Sequence, residues 1–394
     1  MDRTWTFLSG VDPAVTAAVL NRDLARISSW ADRWKVTFNA SKSKDMIFSN
    51  NKVLNNSPPL TLNGCYMARI SSHKHLGLYL TSNLDWSLHV HETCLRANRK
   101  LSVLRSVKYL SRSTLDLLYK LTVRSVVDYG LLVYGSSLKQ TDLTRLERLQ
   151  YRAAKVVTGA LHFTSRVKLN AELGWEDIKT RIDFLSLSFF HKIYLGLTRD
   201  LVTTCMPKMD TYKRTSRYQG NFKPLPYISH KYSKSFYPYY TKKWNSLHSR
   251  VRCCFELDEF KEKLKAELKP NKIKHFNFGS KYGNTLHTRL RVGRSYLNSH
   301  KYSIGLADSP ACLCHHPQET TEHFVLDCFL YPIERQNLFS LVSQQLPNFD
   351  KLPKYKKLDI LLHGISNTIE NRKINNNILR AFQTFLIQTK RFSR

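Results

Sequence analysis

The sequence predicts a mainly α-helical protein with a small α/β piece at the N-terminus and a small zinc-containing helical lobe at the C-terminus. Three observations predict this class. Apolar residues recur at helical spacing from about Asp85 onward. Before that point, short apolar runs alternate with polar turns, which is typical of mixed α and β structure. Near the C-terminus, cysteine and histidine cluster within seventeen residues, from Cys312 to Cys328.

The N-terminal piece, residues 1–84, begins with a predicted helix. Asp12 can cap its first turn and Pro13 suits the first helical position, and one apolar face continues to about Trp34. The turn dipeptide Asn63-Gly64 predicts a β-hairpin. Further extended segments are predicted at Val36–Phe38, Met46–Phe48 and His75–Leu80.

Residues 85–200 are predicted to form a helical domain. Ser113 and Asp116 resemble a capping box that opens one helix, and Thr141 to Gly159 bound another. Residues 201–255 show little periodicity and contain four prolines, so they predict a basic linker or an irregular lobe. Residues 256–394 form the predicted C-terminal lobe. Its helices are expected at Leu257–Leu268, Pro332–Leu346 and Asn375–Ile387.

The chain is strongly basic, with 62 Lys and Arg against 30 Asp and Glu, a formal net charge of +32. Such a charge attracts polyanions and releases their counterions on contact. An anionic membrane surface would be attracted by the same charge. However, no apolar run is long enough to span a bilayer, and the first twenty residues lack a signal-peptide pattern. We therefore expect an intracellular protein, in the nucleus or the cytoplasm, whose partner is nucleic acid and not a membrane.

Three stretches of sequence contain cations but no acidic residue: 93–115, 211–255 and 269–307. Aromatic residues are interleaved with the cations, above all in the second stretch. Cations bind phosphates and aromatic rings stack on unpaired bases, so this mixture favours nucleic-acid binding. The alternative for any one residue is a solvated cation or a core aromatic. The candidate nucleic-acid-binding residues are Arg99, Lys100, Arg105, Lys108, Arg112, Lys213, Arg214, Arg217, Lys242, Lys243, Trp244, Arg289, Arg291 and Arg294.

Cys312, Cys314, His323 and Cys328 offer three thiols and one imidazole. Four such ligands are the set that a structural zinc site uses, and a metal can hold together a lobe with a small core. The first pair is spaced more tightly than is common in zinc sites, and His315 or His316 could replace one ligand. The alternative is that these cysteines are buried free thiols.

Several segments, in this order, resemble the C-terminal half of a LINE-type (non-LTR) retrotransposon reverse transcriptase. Leu20–Ser49 is similar to the end of the palm, with Asn39 to Lys42 as its last motif, and His73–Trp86 is similar to the primer grip. The remaining segments resemble the thumb, an aromatic-rich element and the terminal Cys/His element: Ser125–Gly135, Leu146–Gly159, Ser235–Leu247, Leu286–Tyr302 and Cys312–Cys328.

The resemblance implies a palm remnant at 1–84, a thumb-like domain at 85–200 and a family activity of RNA-directed DNA polymerisation. It implies RNA and DNA as partners, as an RNA–DNA duplex or as single strands. Lys42 corresponds to a lysine that protonates the leaving pyrophosphate, although a solvated loop lysine is the alternative. Polymerisation needs two Mg²⁺ ions on carboxylates that include an adjacent aspartate pair. The sequence contains no such pair, and its start resembles the segment just after it.

The sequence thus predicts one of two functions. The chain is a C-terminal fragment of a reverse transcriptase that binds nucleic acid but is inactive alone, with Mg²⁺ bound only in a complete polymerase. Alternatively, it is a stand-alone zinc-containing RNA- or DNA-binding module derived from a retrotransposon. A nuclease is not expected, because the carboxylates after Cys328 are too scattered for a metal pair.

Overall fold

A computed structural model describes residues 6–10, 12–49, 57–210, 220–227, 229–268, 279–365 and 371–392. The chain folds into two compact units, Met1–Glu92 and Thr93–Arg394. The described residues are mainly helical and include three two-stranded sheets, which confirms the predicted mainly-α class. None of the described helices combines the length and the apolar character that crossing a bilayer requires.

Helix α1, Pro13–Arg33, begins as predicted. The Asp12 carboxylate accepts a hydrogen bond from the Ala14 backbone N–H at 2.8 Å, and Pro13 takes the first position. Ala17 and Leu24 then pack with Leu60 and Leu62 in a small apolar cluster. This cluster is the core of the first unit, and it positions the strands of that unit.

The six strands of the described residues form three pairs. They are β1 Lys44–Asp45 with β4 Ala68–Arg69 in parallel, β2 Thr61–Leu62 with β3 Cys65–Tyr66, and β5 Ser72–His75 with β6 Leu78–Thr81, both antiparallel. The Asn63-Gly64 hairpin is confirmed, and both residues have the positive φ that a type I′ turn requires.

The other strand predictions need correction. The segment predicted as one strand, His75–Leu80, is a second hairpin whose turn at Leu76-Gly77 has positive φ at both residues. Val36–Phe38 and Met46–Phe48 form no strand. A segment of three residues does not fix extended pairing unless a partner edge is available.

The helices that follow the strands are α2 Ser87–Ser106, α3 Arg112–Leu118, α4 Ser125–Asp128, α5 Leu131–Tyr134, α6 Gln140–Thr158, α7 Arg166–Leu173 and α8 Ile178–Tyr194. A π-helical segment, Tyr119–Arg124, lies between α3 and α4. Ser111 caps α3 by accepting a hydrogen bond from the Thr114 N–H, so the cap lies two residues before the predicted Ser113. Helix α6 ends at Gly159 as predicted, at a positive φ.

The described part of residues 201–255 is not an irregular linker. It contains four helices, α9 Asp200–Thr203, α10 His230–Ser233, α11 Phe236–Ser246 and α12 Ser249–Arg252. Trp244 of α11 is fully buried, lies against Phe190 of α8 and donates a hydrogen bond from Nε1 to the Gly220 carbonyl. Large aromatic side chains fill this core, and for that reason the sequence shows little aliphatic periodicity there.

The C-terminal helices are α13 Leu257–Leu268, α14 Lys281–Arg291, α15 Asn298–Ser303, α16 Pro332–Ser343, α17 Lys354–His363 and α18 Asn371–Gln388. Helices α14, α16, α17 and α18 share one apolar core. Its largest buried side chains are Phe324, Phe349, Phe382 and Phe385. This core supports the segment that carries the cysteine and histidine residues.

Candidate metal centre and basic surfaces

Cys312, Cys314, His323 and Cys328 come together as one buried group. Their ligand atoms, three Sγ and one imidazole nitrogen, all lie within 4.8 Å of one another. The Cys312 and Cys328 Sγ atoms are 3.7 Å apart, and the Cys314 Sγ atom is 3.2 Å from His323 Nε2. The group is thus able to hold a metal ion.

Two local structures position these ligands. The Cys312 N–H donates to the His316 carbonyl and the His315 N–H donates to the Cys312 carbonyl, both at 2.9 Å, which folds the first two cysteines into a tight turn. His323 opens a π-helical segment, His323–Asp327, and the Cys328 N–H donates to the His323 carbonyl at 2.7 Å. Each arm therefore brings two ligands to the centre through backbone hydrogen bonds.

The dimensions fit zinc. With Zn–S bonds of about 2.3 Å and Zn–N bonds of about 2.0 Å, the ligands of a tetrahedral site lie roughly 3.4–3.8 Å apart. The two distances given above are close to that range. Burial raises the pKa of Cys312 to about 12 and also raises the pKa of Cys328. A metal ion would therefore displace protons on binding, and its charge would stabilise the thiolates.

The histidines of the segment differ in position. His315 and His316 are exposed, and the His316 ring stacks on the His323 ring with centroids 4.0 Å apart. The His316 Nδ1 atom lies 2.9 Å from the Gln318 carbonyl, so this nitrogen is engaged outside the four-ligand group. Among the described residues, His323 Nδ1 has no hydrogen-bond partner. The arrangement favours His323, not its neighbours, as the imidazole ligand.

A buried carboxylate ties the cysteine turn to the rest of the lobe. Glu319 accepts hydrogen bonds from the Asn298 N–H at the start of α15 and from the Arg391 guanidinium after α18. The Asn298 side-chain amide donates to the Ala311 carbonyl at 2.7 Å, one residue before Cys312. The candidate metal centre is thus linked to two elements far apart in sequence.

Four candidate nucleic-acid-binding residues lie exposed on or just after α2: Arg99, Lys100, Arg105 and Lys108. No acidic residue occurs from residue 93 to residue 115. Within the described parts of the chain, these four side chains form no ion pair. Their charges are therefore available to an anionic ligand.

Arg112 and Arg291, also predicted to contact nucleic acid, are buried instead. Arg112 Nη1 is 2.7 Å from Glu172 Oε1, and Arg291 Nε donates to Glu172 Oε2 at 3.0 Å. Both side chains are at most 2% exposed. Because both guanidiniums neutralise one buried carboxylate, neither reaches a phosphate in this conformation.

Trp244 and Lys243 also occupy structural positions. Trp244 has no exposed surface, so it cannot stack on a base, and Lys243 Nζ lies 2.9 Å from an Asp183 carboxylate oxygen. Lys242 is exposed on the same helix. The remaining candidates of this stretch, Lys213, Arg214 and Arg217, lie outside the described residues.

Arg289 and Arg294 are partly exposed. The Arg289 guanidinium lies 5.2 Å from the Tyr296 ring centroid, and its Nε atom donates to the Gly159 carbonyl at 3.0 Å. Arg294 Nη1 lies 3.3 Å from His300 Nε2. A basic and aromatic surface therefore surrounds the end of α14.

Lys42 is exposed at the end of a short 3₁₀ helix, Ala40–Lys42. Its backbone N–H donates to the Asn39 side-chain carbonyl at 3.1 Å, and Lys44 Nζ donates to the Ser41 carbonyl at 3.0 Å. The local structure is a compact capped turn that presents the Lys42 side chain to solvent.

A further group of cations was not among the candidates. Arg148, Arg152 and Lys155 share one face of α6, since they are spaced by four and three residues. Their Lys/Arg periodicity is a signal that the sequence contains. These three residues lie in a further acid-free stretch, residues 148–171, which contains fewer aromatic residues than the second stretch named above.

Comparisons with known proteins find relatives of one kind. The chain is 29% identical over 154 residues to a probable RNA-directed DNA polymerase from transposon X-element of Drosophila melanogaster, covering 38% of this chain and 16% of the relative. It is 27% identical over 145 residues to the RNA-directed DNA polymerase from mobile element jockey of Drosophila funebris, covering 36% and 16%. The jockey polymerase of Drosophila melanogaster matches at 24% identity over 207 residues, covering 50% and 22%.

The chain thus aligns with less than a quarter of the length of these relatives. No family model matches the sequence. No solved structure matches it significantly. The matches to the X-element and jockey polymerases agree with the resemblance that the motifs indicate. The chain is therefore related to the reverse transcriptases of LINE-type, non-LTR retrotransposons.

Proposed function

We propose that this chain binds RNA and DNA and holds the RNA–DNA duplex as part of reverse-transcriptase-type chemistry. The chain itself does not catalyse nucleotide transfer. The observation that carries this proposal is the group of exposed cations on and just after α2, unpaired among the described residues, in a chain related to RNA-directed DNA polymerases. Cations with no acidic partner nearby bind a phosphate backbone through charge and counterion release.

In this proposal, residues 1–84 correspond to the end of a polymerase palm, and the β5–β6 hairpin corresponds to the primer grip. Residues 85–200 act as a helical thumb, residues 201–255 join it to the C-terminal lobe, and residues 256–394 form that lobe. The pairing of Ser72–His75 with Leu78–Thr81 supports the primer-grip assignment, since a hairpin can present a rigid edge to a primer end. The helices from Ser87 to Tyr194 support the thumb assignment.

Catalysis is excluded from the proposal because the 394 residues contain no adjacent aspartate pair to hold two metal ions. Lys42 is proposed to act only where a complete polymerase supplies those carboxylates. A lysine ammonium cannot replace a divalent metal ion, since it does not organise the in-line geometry of phosphoryl transfer.

Zinc is proposed as a structural ion held by Cys312, Cys314, His323 and Cys328. All four ligands come from the protein, so no open position remains for a substrate or for water, and the ion would stabilise the lobe and not catalyse a reaction. The buried, closely spaced ligand atoms support this assignment.

The test is a primer–template experiment with the purified chain. An RNA template annealed to a labelled DNA primer is expected to bind in a gel-shift assay. Incubation with dNTPs and Mg²⁺ or Mn²⁺ is expected to leave the primer unextended. Absence of binding at low salt would contradict the proposal. Template-dependent extension that survives repurification would also contradict it, because nothing identified in the chain holds two metal ions.

A further inference from the structure

Helices α2 and α6 are joined on one side by a hydrogen bond between two polar side chains. Arg152 Nη2 of α6 donates to the Asn98 side-chain oxygen of α2 at 2.9 Å. Arg105 lies two helical turns after Asn98 and hence on the same face of α2. Arg148 and Lys155 lie on the face of α6 that carries Arg152. The two helices thus direct cations toward one another.

Lys155 is close enough to Arg105 and Arg152 to be repelled by their charges. Burial lowers the pKa of Lys155, and the charges of Arg105 and Arg152 lower it further. The Lys155 ammonium also lies 4.6 Å from the Tyr151 ring centroid, which holds it near the helix surface. Like charges at short distance raise the free energy of the unbound protein, and an anion placed between them lowers it.

No carboxylate lies within ion-pair distance of these cations in the part of the chain that the structure describes. Arg105, Arg148, Arg152 and Lys155 form no ion pair there, and Arg152 Nε has no hydrogen-bond partner. The acidic residues of α6, Asp142 and Glu147, are buried and have other partners: Asp142 Oδ1 lies 3.2 Å from Arg145 Nη1, and Glu147 accepts a hydrogen bond from the Ile178 N–H at 2.6 Å. No further acidic residue occurs from residue 148 to residue 171.

We propose that Arg105, Arg148, Arg152 and Lys155 form a phosphate-binding cradle between α2 and α6 that holds the sugar–phosphate backbone of a nucleic acid. This inference rests on the proposed nucleic-acid binding and assigns a site to it. The cradle contacts phosphates and leaves the bases unread, so the affinity that it contributes is independent of sequence. The guanidiniums donate to phosphate oxygens, while the Asn98 amide fixes the direction of Arg152.

The experiment compares two triple variants with equal change of charge. Arg105→Gln/Arg152→Gln/Lys155→Gln removes three of the four cations of the cradle, and Lys356→Gln/Lys373→Gln/Arg380→Gln removes three exposed cations on α17 and α18. Binding to a fluorescent 20-nucleotide single strand is measured by anisotropy over a range of NaCl concentrations. The cradle variant is expected to bind at least about tenfold more weakly, and its log K against log salt slope is expected to be smaller in magnitude by about 2. The control variant is expected to keep the wild-type slope.

A charge-conserving variant, Arg105→Lys/Arg152→Lys/Lys155→Arg, separates a binding defect from a folding defect. It is expected to bind within a few-fold of wild type, while thermal melting shows whether each variant is folded. If the cradle and control variants lose affinity for the single strand equally, the cradle is overturned. The proposal that the chain binds nucleic acid would still stand. A cradle variant that binds nucleic acid normally but loses binding to phosphatidylserine-containing vesicles would also overturn it. A wild-type chain that binds no nucleic acid would refute the proposed function itself.

Discussion

At the scale of single residues, burial distinguishes cations with a structural role from cations that can bind a phosphate. Arg112 and Arg291 look like phosphate ligands in sequence, since both lie in basic stretches, yet both contact Glu172. The partner is 60 residues from one and 119 from the other. No local sequence pattern predicts an ion pair between residues so far apart in sequence. By contrast, Arg99 and Lys100 belong to the acid-free stretch 93–115 and are exposed, as the sequence alone predicts.

Replacing Glu172 with Gln should strongly destabilise the second unit. The change leaves two buried guanidiniums without a counter-charge, and losing one partner of a buried ion pair costs about 3–5 kcal/mol. Chemical denaturation followed by circular dichroism measures the loss, with the exposed Glu262→Gln as the control, for which no change is expected. Equal stability of the two variants would show that the Glu172 charge is not needed to balance the arginines.

The same residue predicts a response to acid. Although burial opposes it, Arg291 and Arg112 lower the pKa of Glu172 to about 2 in the folded protein. An unfolded glutamate has a pKa of about 4.3. The ion pairs of Glu172 therefore contribute fully to the free energy of unfolding above pH 4.3, and this contribution is lost as the pH falls toward 2. The wild type should lose more stability than Glu172→Gln over this interval. Parallel pH profiles of the two proteins would contradict the pairing.

His191 predicts a second pH effect. Its ring is buried and stacks on Phe260 with centroids 4.0 Å apart, and burial lowers its pKa to about 4. The unfolded side chain has a pKa of about 6.5, so the neutral ring stabilises the fold above pH 6.5 and this stabilisation is lost as the pH falls toward 4. His191→Phe should reduce the loss of stability between pH 6.5 and 4. The exposed His162→Phe variant should keep the wild-type profile. If all three profiles coincide, His191 is not protected from protonation.

At the scale of elements, helix ends marked by proline or glycine were predicted correctly, whereas the predicted caps Ser113 and Thr141 were wrong, because α3 is capped by Ser111 and α6 begins after Lys139. Asp12-Pro13 and Gly159 define helix ends through local hydrogen bonds and a positive φ, and both ends occur where expected. Residues 236–246 were missed because their helix is stabilised by aromatic packing of Trp244 against α8, which depends on tertiary contacts. The clustering of Cys312, Cys314, His323 and Cys328 was predicted from their spacing, since all of them lie within one short segment.

The metal centre predicts a measurable stoichiometry. Purified protein should contain about one zinc per chain, and Cys312→Ser/Cys314→Ser should remove it, because two remaining ligands do not retain a structural ion against water. The matched control, Cys65→Ser/Cys205→Ser, changes two exposed cysteines and should keep the metal. Elemental analysis by mass spectrometry gives the counts.

Loss of zinc should destabilise the C-terminal lobe and leave the preceding helices folded. Limited proteolysis of the double variant should cut within residues 279–392, while the helices from residue 93 to residue 194 remain protected by their own core. A zinc-free wild-type protein with a protease-resistant C-terminal lobe would show instead that the cysteines are core thiols. Nucleic-acid binding should weaken but persist, because most cations lie outside that lobe.

At the scale of the whole molecule, net charge is the property that sequence predicts most directly. The excess of cations, +32 over 394 residues, follows from composition alone, and it does not depend on any element being placed correctly. Which of these cations are free and which are ion-paired can be seen only in the structure. Lys243 and Arg112, for example, are paired with carboxylates distant in sequence.

The measurement that tests nucleic-acid binding most directly is the affinity of the intact chain for a single strand as a function of salt. If about six phosphates are neutralised, log K against log salt falls with a slope of about −4. Strands of unrelated sequence should give the same slope and similar affinities, because backbone contacts carry no sequence information. An affinity that stays constant between 50 mM and 200 mM salt would contradict electrostatic binding of nucleic acid by this protein.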